Sequence, residues 1–189
     1  MESRPPRRAL VLVHGLATTR WIWDLVAPLL AQRRRVVTLD VAGFGESEPV
    51  GAGFELDRVA ERISRGLAAH GVRGPLDLVG HSSAPGSRRR WPCVARPACG
   101  GWCSWRTSEA LATIGEGRLA ALLAQTAQPL GVIWGREDRT VPPRHVTAVR
   151  RVRPDAEIEL LDHAGHVPMV ERPEQFVVAL ERLLSVLAA

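Results

Sequence analysis

Five short runs of mostly branched aliphatic residues, separated by stretches of helical period, decide what this chain can fold into. Ala9–Val13, Arg35–Leu39, Leu76–Val79, Leu130–Trp134 and Glu157–Leu161 each span four or five residues. Short runs of this kind, rich in Val and Leu, suit strands buried on both faces. Apolar residues recur at helical spacing over Trp21–Arg33, Leu56–His70, Glu109–Gln125, Arg144–Val152 and Pro173–Leu187. The last of these opens on a proline, which a first helical position accepts because its missing N–H would have had no partner there. Strand and helix alternating along one chain predict the α/β class, a mostly parallel sheet with helices on both faces. With 189 residues, the chain makes one domain over residues 1–189 and can bury a core.

In such sheets, chemistry gathers beyond the carboxyl ends of the strands. Read in order, those ends are His14-Gly15, Asp40, Gly80-His81-Ser82, Gly135-Arg136-Glu137-Asp138 and Asp162-His163-Ala164-Gly165-His166. A serine, several carboxylates and several histidines therefore emerge along one edge. A serine hydroxyl becomes a useful nucleophile only when a neighbouring base removes its proton, and histidine serves near neutral pH. A buried carboxylate can then fix the histidine tautomer and steady the imidazolium that forms.

Composition narrows the alternatives. The net charge is +5, and all 25 basic residues are arginine; lysine, tyrosine and asparagine are absent. Those three share A/T-rich codons, so the arginine bias reflects a GC-rich gene and argues little for a basic nucleic-acid-binding module. Arg33-Arg34-Arg35 and Arg150-Arg151 read as solvated helix ends, where cations favour the dipole. No apolar run is long enough to span a bilayer or form a signal-peptide core, which predicts a cytoplasmic protein without a membrane partner. Cys93, Cys99 and Cys103 are odd in number, and with His81 they match no usual zinc spacing. Neither a disulfide framework nor a metal or other cofactor is expected.

Four segments together resemble the α/β-hydrolase superfamily. Val11-Leu12-Val13-His14-Gly15-Leu16 is similar to the oxyanion strand and loop of that family, and Asp40-Val41-Ala42-Gly43-Phe44-Gly45-Glu46-Ser47 to its next glycine-rich loop. Val132 to Pro142 resembles the turn that bears the acid, and Ala164 to Phe176 the histidine loop and last helix. The chain order Ser82, Asp138, His166 is the family's order. The resemblance implies a hydrolase acting on a small-molecule acyl, ester-like compound through an acyl-enzyme. Ser82 would be the nucleophile, His166 the base and Asp138 its orienter, with the N–H groups of Leu16 and Ser83 forming the oxyanion hole. Glu137 and Asp162 are then solvated turn acids, and His163 is a weaker base. His14 is a structural loop residue, and His81 packs beside the nucleophile. Trp21 and Trp23 either line a pocket or pack a helix on the sheet.

One stretch departs from the family. The family's G-x-S-x-G turn reads Gly80-His81-Ser82-Ser83-Ala84 here. Arg88-Arg89-Arg90 offer no apolar stripe to the helix that should follow, and Pro92 stops it. The cap and one strand-helix unit expected before the acid turn are missing. Residues 84–106 hold all three cysteines and three of the six tryptophans. Read one base out of frame, Trp91 with Pro92 gives alanine and Trp102 with Cys103 gives valine. With G or C at the free positions, a glycine, an Ala-rich helix and a Val/Leu strand are recovered. The segment is therefore read as frameshifted. A catalytically inactive remnant is the alternative to an active hydrolase, and Gly100–Trp105 is the stretch available to fill the strand gap.

Overall fold

The computed structural model describes residues 8–15, 18–49, 56–74, 76–81, 103–105 and 128–188. Strands β1 (Ala9–Val13), β2 (Val36–Leu39), β3 (Leu76–Gly80) and β4 (Cys103–Trp105) form a parallel ladder in the order β2-β1-β3-β4. Strands β5 (Gly131–Gly135) and β6 (Glu157–Leu161) form a second parallel pair. The register sets Val13 opposite Leu39 and Gly80, and Gly80 opposite Trp105, so the carboxyl ends of the four strands share one rim. Gly135 stands opposite Leu161 at the matching end of the second pair.

Both faces of the sheet are covered, and β1 shows why. Its side chains alternate, so Leu10 and Leu12 enter one core while Val11 and Val13 enter another. The first core joins them to Ile22, Trp23, Val26 and Leu30 and to Phe176, Leu180 and Leu183. Those residues come from the segment around helix α1 (Ala27–Ala31) and from the closing helix α5 (Pro173–Val186). The second core sets Val11 and Val13 against Val59, Leu67 and Val72, on and just after helix α2 (Leu56–Ala69). On β5, Ile133 joins the first core, while Val132 and Trp134 pack with Val146 and Val149 of helix α3 (Val146–Val152). Each such side chain contributes about 2 kcal/mol through the apolar surface it removes from water.

Two expected helices are shorter than their patterns suggest. Trp21–Arg33 is not one helix. It is a 3-10 turn at Arg20–Trp23 followed by α1. Pro28 lies in the first turn of α1 and has no N–H to donate backwards, so a helix begins there instead of running through. Arg144–Val152 likewise divides into a 3-10 turn at Pro143–His145 and α3. A short helix, α4 (Pro168–Glu171), lies just before α5 and was not expected. Trp23 is fully buried, with its ring 6.2 Å from Phe176, which settles its role as helix-on-sheet packing. Trp21 stays half exposed.

The expectation that Gly100–Trp105 fills the strand gap is met at β4, where Cys103, Ser104 and Trp105 pair with Leu78, Val79 and Gly80. The remainder of 84–106 and the expected helix Glu109–Gln125 lie outside the described residues.

Two of the arginines read as solvated hold structure instead. Arg34 bridges β3 and α5, with its guanidinium 3.7 Å from Asp77 and paired with Glu181. Asp77 is nearly buried, and that burial pushes its carboxyl above the usual range despite Arg8 and Arg34 beside it. Arg35 donates to the carbonyls of His70 at 2.7 Å and Gly71 at 3.1 Å, satisfying groups left open where α2 ends.

Candidate active site

His166 and Asp138 come together. The Nδ1–H of His166 donates to Asp138 Oδ2 at 2.9 Å, and the Asp138 side chain is fully buried. The other carboxylate oxygen accepts the N–H of Val141 at 2.8 Å. Trp134 closes the same turn by donating its Nε1–H to Val141 O at 3.0 Å. The acid is thus locked by the turn that follows β5. With Nδ1 committed to a carboxylate, Nε2 is the ring nitrogen left able to exchange a proton.

The loop carrying His166 is tied to the end of β5. Arg136 N–H donates to Leu161 O at 3.0 Å, and Glu137 N–H donates to Ala164 O at 3.0 Å. Glu137 is exposed, but it is more than the solvated turn acid expected. Its carboxylate accepts the N–H of Ala164 at 3.0 Å. Asp162 does behave as a surface acid, paired with Arg136 at 2.6 Å. His163 is exposed and sits at φ +56°, a tight-turn conformation that turns it away from any part in the pair.

β5 and this loop approach so closely that only glycine fits at Gly135. A Cβ there would overlap the backbone carbonyls of Ala164 and Gly165. Gly135→Ala is therefore expected to force the histidine loop off the strand. Because backbone, not a flexible side chain, stands in the way, the cost should be about 2–3 kcal/mol in urea denaturation. Turnover should fall roughly 10²-fold as His166 shifts.

His81, the residue before Ser82, lies against His166. Its N–H donates to Val13 O at 2.9 Å and its Nε2–H to His166 O at 2.9 Å, and the two rings are 5.3 Å apart. The end of β3 is thereby placed beside His166. Ser82 itself, Ser83 and Leu16 lie outside the described residues. The chain immediately before each of them is described, at His81 and at Gly15.

Gly15 belongs to a braced loop. His14 donates from Nδ1 to Gly15 O at 2.6 Å and accepts Val41 N–H on Nε2 at 2.8 Å, which fixes a neutral tautomer. Burial lowers its basicity, against the pull of the Gly15 carbonyl and Asp40. It is the structural residue expected. Asp40 organises the neighbouring loop by accepting Arg20 N–H at 2.7 Å, Arg20 Nη1–H at 2.8 Å and Glu46 N–H at 3.2 Å. Burial works against its charge, but those donors outweigh it and hold the carboxyl below the usual range. Gly45, at φ +53°, gives the carboxylate its room, since a Cβ there would strike it.

Among the described residues, no group of three or more His, Cys, Asp or Glu could hold a metal ion, and no helix is long and apolar enough to cross a membrane.

The same fold occurs in proteins of known structure. A thermophilic esterase from Thermogutta terrifontis superposes with a TM-score of 0.75 at 18% identity, over 97% of this chain and 92% of that one. The family model described as alpha/beta hydrolase fold matches residues 8–84. The chain has the α/β-hydrolase fold. Among curated relatives of the chain, a pimeloyl-[acyl-carrier protein] methyl ester esterase of Aeromonas hydrophila subsp. hydrophila is 25% identical. That alignment covers 93% of this chain and 95% of the relative. It runs over 241 positions, more than the 189 residues here, so the relative holds residues with no counterpart in this chain. Lipase 1 of Psychrobacter immobilis is 31% identical over 70 residues, which are 37% of this chain and 22% of that lipase. By resemblance, this chain of α/β-hydrolase fold is an esterase-like hydrolase.

Two features of the site were missed in the sequence. One is the bond from His81 to the His166 carbonyl. The other is Glu171, whose carboxylate accepts the N–H groups of Gly165 and Val167. Neither has a periodic signature. The only hint is the position of Glu171 five residues after His166.

Proposed function

We propose that this chain is a serine hydrolase that cleaves a small-molecule ester-like acyl compound through a covalent acyl-enzyme. The observation that carries this reading is the buried Asp138–His166 hydrogen bond at 2.9 Å, set beside the chain that leads directly into Ser82. Ser82 Oγ attacks the substrate carbonyl carbon while His166 Nε2 takes the hydroxyl proton. Asp138 steadies the imidazolium, and the N–H groups of Leu16 and Ser83 hold the oxyanion. Collapse breaks the bond to the alcohol, which leaves with the proton from His166, and Ser82 remains acylated. Water then attacks the acyl-enzyme, giving its proton to His166, and the carboxylic acid departs as Ser82 recovers its proton. The proposal sets this reaction in the cytoplasm, with no metal or other cofactor and no nucleic-acid or membrane partner.

An activated serine is expected to react with a fluorophosphonate: its oxygen bonds to phosphorus and displaces fluoride, while the base that primed it takes the hydroxyl proton. Peptide mass mapping of the treated protein should place a single adduct on Ser82, and p-nitrophenyl acetate should be hydrolysed faster than in buffer. If no adduct forms and hydrolysis matches buffer, the chain is the inactive remnant and the proposal is wrong.

A further inference from the structure

We propose that Glu171 is a positioning residue for His166, its carboxylate gripping the peptide units on both sides of the base. The inference rests on the hydrolase reading for its consequence in turnover, but not for its geometry. Oε2 of Glu171 accepts Gly165 N–H at 2.6 Å, and Oε1 accepts Val167 N–H at 3.0 Å. His166 is the one residue between those two amides. A helix-capping role explains only half of this. Val167 is the N-cap of α4 and Glu171 its fourth residue, one beyond the third-position glutamate of a capping box, so the bond to Val167 N–H is similar to one arm of that motif. The bond to Gly165 serves no helix end. It spans the base.

A second observation supports the fit. A Cβ on Gly165 would stand 3.0 Å and 3.1 Å from the two Glu171 oxygens, closer than such atoms normally approach. The absent side chain at Gly165 is what lets the carboxylate close on the loop. A further restraint on the His166 backbone comes from the other side, where His81 donates to His166 O at 2.9 Å. The carboxylate thus fixes the loop on the helix side while His81 fixes it on the strand side. The Nδ1–H is held at Asp138 without a covalent constraint. Charge-assisted bonds from backbone N–H to carboxylate are shorter and stronger than neutral ones, which suits a restraint on an exposed loop.

The experiment compares Glu171→Gln and Glu171→Ala with the parent protein, using Glu174→Ala on the next helix as a surface control. Glutamine keeps one accepting oxygen, whereas alanine keeps none. The expected result is graded. With p-nitrophenyl acetate, kcat should fall roughly fivefold in the glutamine variant and roughly 10²-fold in the alanine variant, with KM within about twofold, as for a base displaced by a fraction of an ångström to 1 Å. The control should match the parent. Nitrogen-15 spectra of the histidine rings should show the His166 Nδ1–H signal shifted and broadened in the same order, at a temperature where circular dichroism reports full folding. An unchanged Nδ1–H signal in folded alanine variant would overturn the proposal, as would a kcat loss no larger than the unfolded fraction. If the alanine variant does not fold, the glutamine variant is read against the same two criteria. If the parent hydrolyses no ester, the ring spectra alone decide this inference, and the failure belongs to the hydrolase reading.

Discussion

Ser82→Ala should reduce ester hydrolysis to the level set by buffer, a loss of roughly 10⁴-fold or more in kcat if the parent turns over. The variant removes one oxygen and adds nothing to the fold, so thermal stability should stay within a few degrees of the parent. KM, where it can still be measured, should change little, because the hydroxyl acts in the transition state and not in ground-state binding. Steady-state rates with p-nitrophenyl acetate, corrected for buffer, are the measurement. Equal rates in parent and variant would mean that whatever hydrolysis occurs does not pass through Ser82.

Asp138→Asn should cost about 10⁴-fold in kcat while leaving the protein folded. The asparagine oxygen can still accept Val141 N–H, the bond that Asp138 makes at 2.8 Å. The change is on the side facing His166. Where Asp138 presents an oxygen to Nδ1–H at 2.9 Å, the amide can present N–H instead. His166 then turns to the other tautomer, with its proton on Nε2, and can no longer accept the proton of Ser82. Charge is lost as well, so an imidazolium formed in the reaction has no buried anion beside it. Rates at saturating ester, together with the ring nitrogen shifts of His166, separate this tautomer change from unfolding. Wild-type kcat in the variant would exclude Asp138 as the orienting acid.

Much of the frame was legible because burial writes itself into sequence with a simple period. Ala9–Val13 and Glu157–Leu161 are strands with the expected ends. Leu130–Trp134 is displaced by only one residue, and Pro173–Leu187 is one residue too long. Trp21–Arg33 failed because its apolar spacing comes from two short helical pieces whose break, at residues 24–26 just before Pro28, leaves the period intact. The pairing of Asp138 with His166 was legible from motif order, which also placed Glu137 and Asp162 outside the pair. What Glu137 does was not legible, nor what Arg34, His81 and Glu171 do. Each joins segments remote in sequence or binds backbone, and a side chain that binds a peptide group leaves no complementary residue type to find. The neutral state of His14 has the same character, since its partners are a carbonyl and an amide.

The two ladders of the sheet divide the proposed chemistry. Acid and base both belong to the β5–β6 half, whereas the chain that leads to the nucleophile leaves the β1–β3 half. Among the described residues, the halves are joined by shared apolar packing, with Leu10, Leu12, Ile133 and Leu161 in one cluster, and by the side-chain bond from His81 to the His166 carbonyl. A seam of that kind has no fixed hydrogen-bond register, so it accommodates a changed length of connecting chain more readily than a continuous ladder does. The same tolerance makes the distance from hydroxyl to imidazole depend on how well oily side chains interlock across the seam and on the His81 bond that crosses it.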